Sequence, residues 1–486
     1  LRFNNILNLL LLTAILLLCR VAISTPNPTT VSTTAPVSRT LNTGKDIQPP
    51  ATMPAELGGF PVGLVPSADG KYALVCGMGY RESLFSIAVS DGHIAGKVDY
   101  SNRSPTRMRP QTGVDQEESR NAMASNGLYY GVAVVGNTVY AAQGAKDAIS
   151  VLSLDSDGKL AATRPITTSQ ADFPAGLATD SRGLLYVSNN GSAGSGDGFF
   201  LPGSVAIYDP AKSVEIGRYF FENPTHTSNF PLGIATLSNG SKTYCASERD
   251  GCVFVLNTTD PTHPRLSDTV AKGTIATGSH PLGMIFNHDQ SRLWVSNALS
   301  DTLSVIDTAS DKVVGTVLLR PGTSRGVPGV TPTAMAFSPD EKTIYVTLAD
   351  MNAVGVVDVA TTTLKGMIPA GWYPTGVLVR SDNQLLVVNA KGNKARNPNP
   401  GNLNDRTPGR DSYILNVLKG SLQLLPIPGT DQQLADLTDT VIHDNHLDDL
   451  NDRRADKAIA AIGLKAGKIK HVIYIIKENR TYDQIL

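Results

Sequence analysis

Three observations predict a mainly β fold: a seven-bladed β-propeller, followed by a helical connector and the first strand of an α/β domain. A strand-and-turn unit recurs seven times between Phe60 and about Pro428. Its period, roughly 40 to 60 residues, suits blades of four short strands. Beyond Pro428 the pattern gives way to helix-compatible sequence and then to one continuous apolar run, His471–Ile476. Composition agrees, since 44 glycines and only 17% charged residues in 486 favour many short strands joined by tight turns. A formal net charge of −1 gives no reason to expect nucleic acid as a partner.

Residues 1–24 read as a signal peptide. Arg2 precedes the Leu-rich stretch Ile6–Cys19, and Ala22-Ile23-Ser24 offers a cleavage site. Export to the periplasm or the exterior is therefore expected. Leu18 stands where lipoprotein cleavage wants a small residue, which argues against anchoring through Cys19. Residues 25–50 are rich in Ser, Thr and Pro and predict a linker that buries little apolar area. Within it, Thr43–Ile47 is a candidate outer strand that would latch the last blade.

The propeller is expected over 51–428. Its clearest unit begins at His280 and runs through Pro281-x-Gly283, the strand Leu293-Trp294-Val295-Ser296, the strand Leu303-Ser304-Val305-Ile306 and Lys312–Leu319. Alternation with period two is visible in both central strands. The other units open at Pro61, Tyr130, Pro174, Pro231, Pro332 and Pro374. One blade buries too little to stand alone, and a closed ring hides both ends of the stack.

The propeller region shows little chemistry. Asp155-Ser156-Asp157-Gly158 begins like a calcium loop, but it lacks the distal glutamate and reads better as a turn. The histidines show no zincin spacing, and no set of Cys, His and Met suits an electron-transfer metal. Cys245 and Cys252 flank a turn and sit on paired strands; a disulfide and two small apolar residues both fit that placement. The last unit carries an insertion, Lys391–Arg410, in which Lys391, Lys394 and Arg396 form a candidate docking or anion-binding loop.

Residues 429–468 predict a connector with one or two helices. Ala455–Ile462 is the strongest helix former, with Gly463 as its stop. His443-Asp444-Asn445-His446 holds metal-type side chains in a polar stretch, where solvated histidines are the plainer reading. The segment 469–486 then supplies an apolar strand and a polar turn with Glu478 and Asn479, a hard carboxylate and an amide oxygen suited to a divalent cation.

Two resemblances follow from these residues. The Pro-x-Gly openings, the strands Tyr186-Val187-Ser188-Asn189, Trp294-Val295-Ser296-Asn297 and Tyr345-Val346-Thr347, and the strands Val305-Ile306-Asp307 and Val356-Val357-Asp358 resemble the YVTN-type (YncE-like) propeller repeat of exported proteins. The block Glu478-Asn479-Arg480-Thr481-Tyr482-Asp483 resembles the opening of the phosphoesterase family that includes bacterial phospholipase C and acid phosphatase, in the alkaline-phosphatase superfamily. That resemblance implies Glu478 and Asn479 as metal ligands and a nucleophile beyond the chain end. The expectation is an exported propeller-phosphoesterase that hydrolyses phosphate esters with a divalent metal. This chain would supply the propeller and the first ligand motif, with a missing C-terminal phosphoesterase domain as its partner. By itself it would hold no metal tightly and would be inactive. The alternative is a non-catalytic propeller binding module at the cell surface or in the periplasm; a phosphorylated small molecule, a lipid or a cell-surface ligand is the expected class of further partner.

Overall fold

A computed structural model of the chain describes residues 39–48, 52–79, 82–100, 127–191, 202–221, 229–322, 329–394, 418–448, 456–463, 470–471 and 473. The signal segment, Arg396, Glu478 and Asn479 lie outside them. No described helix is long and apolar enough to cross a membrane.

Seven antiparallel sheets follow one another along the chain, and each is a meander from an inner to an outer strand. Their inner strands are Pro61–Pro66, Leu128–Val135, Pro174–Thr179, Pro231–Thr236, Pro281–Phe286, Pro332–Phe337 and Trp372–Val379. Each inner strand packs against the next, and the seventh packs against the first, which closes a seven-bladed ring. The seven predicted openings all fall within these inner strands.

The Pro-x-Gly signature serves this closure. A Cβ on Gly176 would stand 2.0 Å from the Leu232 carbonyl oxygen, and one on Gly233 would stand 2.0 Å from that of Leu282. Only glycine lets the inner strands approach this closely around the axis. The hydroxyl of the repeated strand motif completes the joint. Ser188 Oγ accepts from the Gly176 amide at 2.8 Å and donates to the Leu232 carbonyl of the next blade at 2.7 Å. Ser296 does the same between Gly283 and Thr333, both at 2.9 Å. Between blades, apolar faces fill the interior around Trp294, Tyr186, Tyr208 and Tyr244, all buried.

The latch differs from the expectation. Thr52–Glu56 supplies the outer strand of blade 7, paired with Ser421–Pro426. Asp46–Ile47 instead pairs with Arg39–Thr40 in a separate hairpin. The reason is chemical: Leu41 and Ile47 bury against Trp372, which draws the hairpin onto the end of blade 7 and leaves the blade's edge to the next segment.

The connector begins as helix α1, Asp431–Asp444, with the Thr430 side chain accepting from the Gln433 amide at its N-terminus. It is no bare linker. Leu434 and Val441 are buried against blade 6, and Thr438 Oγ1 accepts from the Met367 amide at 2.8 Å. Residues 456–461 form helix α2, and Gly463, at φ +69°, ends it. Most of the expected strand His471–Ile476 lies outside the described residues; His471 and Ile473 are described, are exposed and belong to no strand.

Candidate functional site: the mouth of the ring

The meander topology puts every inner-strand start, every second-to-third turn and every outer-to-inner connection at one end of the ring. All five connections of ten residues or more lie there: 100–127, 190–203, 221–230, 319–331 and 393–420. The opposite end carries only short turns. Long connections on a rigid scaffold mark a binding face.

At this mouth the residue before the inner-strand proline is in the left-handed region in six blades: Phe60 (φ 42°), Phe173 (52°), Phe230 (55°), His280 (54°), Thr331 (54°) and Tyr373 (64°). Such a conformation is costly for a residue that also precedes proline. Backbone bonds over-determine it. The carbonyls of Phe60, Phe173, Phe230, His280 and Thr331 each accept an amide from the adjoining turn. Carboxylates hold several of the incoming loops. Asp147 accepts from the Ala171 and Phe173 amides at 2.8 and 2.9 Å. Asp301 accepts from Gly329 and Val330, both at 3.0 Å. Asp147 is half-buried and Asp301 buried, and their bonds to backbone amides, with Arg320 also on Asp301, tie both into the scaffold.

Among the described residues, two clusters of partly exposed polar and aromatic side chains stand at the mouth. In the first, His280 Nδ1 lies 3.0 Å from Glu248 Oε1, and both side chains are partly exposed. Arg249 lies over the Phe230 ring, 5.4 Å from its centroid. Tyr129 packs edge-on against Phe173 with centroids 5.2 Å apart. Burial, with the Glu248 charge adding to it, raises the Tyr129 hydroxyl and pushes Tyr130 up to about 12. Both tyrosines belong to blade 2, and Glu248 lies in the turn between the second and third strands of blade 4. With Nδ1–H donating to Glu248, the His280 Nε2 is an acceptor poised for proton transfer or for a ligand hydroxyl.

The second group contains the predicted Lys391. Its Nζ stands 4.0 Å from the Tyr373 ring centroid and 5.7 Å from that of Trp372, and Tyr373 packs on Phe60 at 5.9 Å. Lys45 of the hairpin donates to the Asp350 carbonyl. Burial holds both amines below the usual lysine range, and Asp350 opposes this in each. Asp350 itself accepts from Thr331 Oγ1 at 2.6 Å. Lys394 is exposed beyond the strand end. The structure thus places Lys391 in an aromatic cluster that sequence reading missed. The signal was present in the aromatic residues before proline at 60, 173, 230 and 373.

Other singled-out residues have plain roles. Asp155 Oδ1 accepts from the Asp157 and Lys159 amides and so closes its own turn. Cys245 and Cys252 are free thiols, because Cys252 pairs with Ser247 and stands diagonal to Cys245. Burial pushes the Cys252 thiol up to about 12. His443 Nδ1 contacts Asp448 at 2.8 Å, and His446 Nε2 contacts the Gly44 carbonyl at 2.7 Å.

No protein-family model and no curated protein matches the chain. Among solved structures it is similar to a streptogramin B lyase, at 11% identity and a TM-score of 0.47, over 77% of this chain and 96% of that one. It is also similar to a Kuenenia stuttgartiensis hydrazine synthase chain, at 15% identity and a TM-score of 0.49, over 71% and 96%. These identities are too low to carry a residue role across.

Proposed function

We propose that the propeller is a binding scaffold outside the cytoplasm, with a phosphorylated small molecule as ligand at its mouth. The observation that supports this best is Lys391, a half-buried cation on the Tyr373 and Trp372 faces at the mouth. An anion there gains a partly desolvated amine, and an apolar moiety gains ring faces. The Leu-rich segment Ile6–Cys19 supports export. Glycerol 3-phosphate titrated into the full chain, followed by Trp372 fluorescence, is expected to give a saturable change, with Lys391→Ala weakening it at least about tenfold, or ~1.4 kcal/mol. A flat wild-type titration refutes the reading.

A second reading, a metal-dependent phosphoesterase, rests on the block Glu478–Asp483. Among the described residues no three His, Cys, Asp or Glu side chains gather to hold a metal. Glu478 and Asn479 alone fall short of a coordination shell, so no step is routed through a metal. Hydrolysis of the ester during that same titration would favour this reading.

A further inference from the structure

Four outer strands share one device. In blades 1, 3, 5 and 6 a β-bulge is followed by a glycine: Gly96, Gly217, Gly315 and Gly366. In three of them a neighbouring segment seats on the glycine. A Cβ on Gly96 would stand 2.4 Å from the Gly158 carbonyl oxygen of blade 2. On Gly217 it would stand 2.1 Å from that of Pro261 in blade 4. On Gly366 it would meet Thr438 Oγ1 at 2.6 Å and Leu434 Cγ at 2.7 Å, both from helix α1. Gly315 is different, with nothing nearer than 3.5 Å. There the surface opens into a cleft of about 220 Å³ between blades 5 and 6, floored by Trp294, Val305, Phe337 and Val359. Val314, where blade 6 has Lys365, is 56% exposed at its edge.

The chain also holds an apolar helix face with no seat. Residues 456–463 are all exposed, with Ile459 in helix α2 and Ile462 three residues on, in the turn that ends it. A helix this short is marginal without tertiary contact. We infer that α2 docks through Ile459 and Ile462 into the Gly315 cleft of its own chain, as α1 docks through Leu434 and Thr438 onto Gly366.

Reach and charge agree. Helix α1 starts where Asp431 faces Lys365 and ends where Asn445 donates to the Met351 carbonyl at the mouth. Its 14 residues span about 21 Å, which sets the scale of the return from the mouth. Leu447 and Asp448 are held at the end of α1 by Ile442 and His443, and the seven residues 449–455 can reach about 23 Å. Asp456 and Lys457 lead the helix, and Arg292 and Glu341 line the cleft. Two isoleucines support only weak association, which suffices for a tethered segment and not for a separate copy.

Amide exchange of 456–462 in the full chain tests this. The expected result is at least tenfold protection over free-peptide rates, independent of protein concentration. Gly315→Leu, which fills the cleft, is expected to abolish it while strand 292–297 stays protected. Val314→Asp, a surface change that leaves the core alone, is expected to reduce it several-fold. Free-peptide rates in the wild type overturn the inference. So does protection that grows with concentration, which would mean docking between copies.

Discussion

Phe60, Phe173, Phe230 and Tyr373 carry two burdens at once. Each holds a left-handed backbone before a proline, and each presents a ring at the mouth. Carbonyl bonds to the neighbouring loop fix the turns of Phe60, Phe173 and Phe230, and the Tyr373 amide donates to Asn352 Oδ1, so the rings are presented by rigid backbone. The glycines set the opposite limit, where no side chain is allowed. Gly233→Ala drives a methyl into the Leu282 carbonyl and is expected to cost about 2–3 kcal/mol. Gly315→Ala meets only ordinary contacts and is expected to be neutral or stabilising by up to about 1 kcal/mol. Denaturant unfolding of the two variants measures the contrast; equal losses would mean that inner-strand approach is not what the Pro-x-Gly signature serves.

At the scale of elements, the N-terminal hairpin and helix α1 clamp each other at the mouth. Gln48 Nε2 donates to both Asp444 oxygens at 3.0 Å, and His446 reaches Gly44. Burial holds the Asp444 carboxyl above its usual range, with Asp46 adding to this and Gln48, His443 and His446 opposing it. The folded value therefore lies above the unfolded one, about 3.9. The protonated carboxyl stabilises the clamp in full below that value, and the contribution fades as pH rises through the folded value. Protection factors at Leu41 and Gly44 are expected to fall from pH 4 to pH 7, and to hold steady in Asp444→Asn. A flat profile in the wild type would contradict this. The clamp was not legible in the sequence. Thr43–Ile47 carries the stronger strand signal, yet Thr52–Glu56 joins the blade, because Leu41 and Ile47 bury on Trp372. Helix α1 was legible as a helix, but its seat on Gly366 joins residues far apart in the chain, and local periodicity carries no such information.

For the whole molecule, repetition made the ring readable: seven openings named seven blades, because each unit must lay an inner strand against the next around the axis. The mouth was readable only in part. Lys391 stood out by its charged insertion, whereas Glu248 and His280 belong to two different blades and meet only when those blades pack together. The asymmetry between a mouth with long connections and an opposite end with short turns is the central claim about function. Amide exchange with and without glycerol 3-phosphate compares the two ends directly. New protection is expected at 59–60, 129–130, 171–173, 229–230, 279–280 and 371–373, with none in the turns 67–71, 155–159 and 338–342. Protection at those turns instead, or none at either end, would contradict the account.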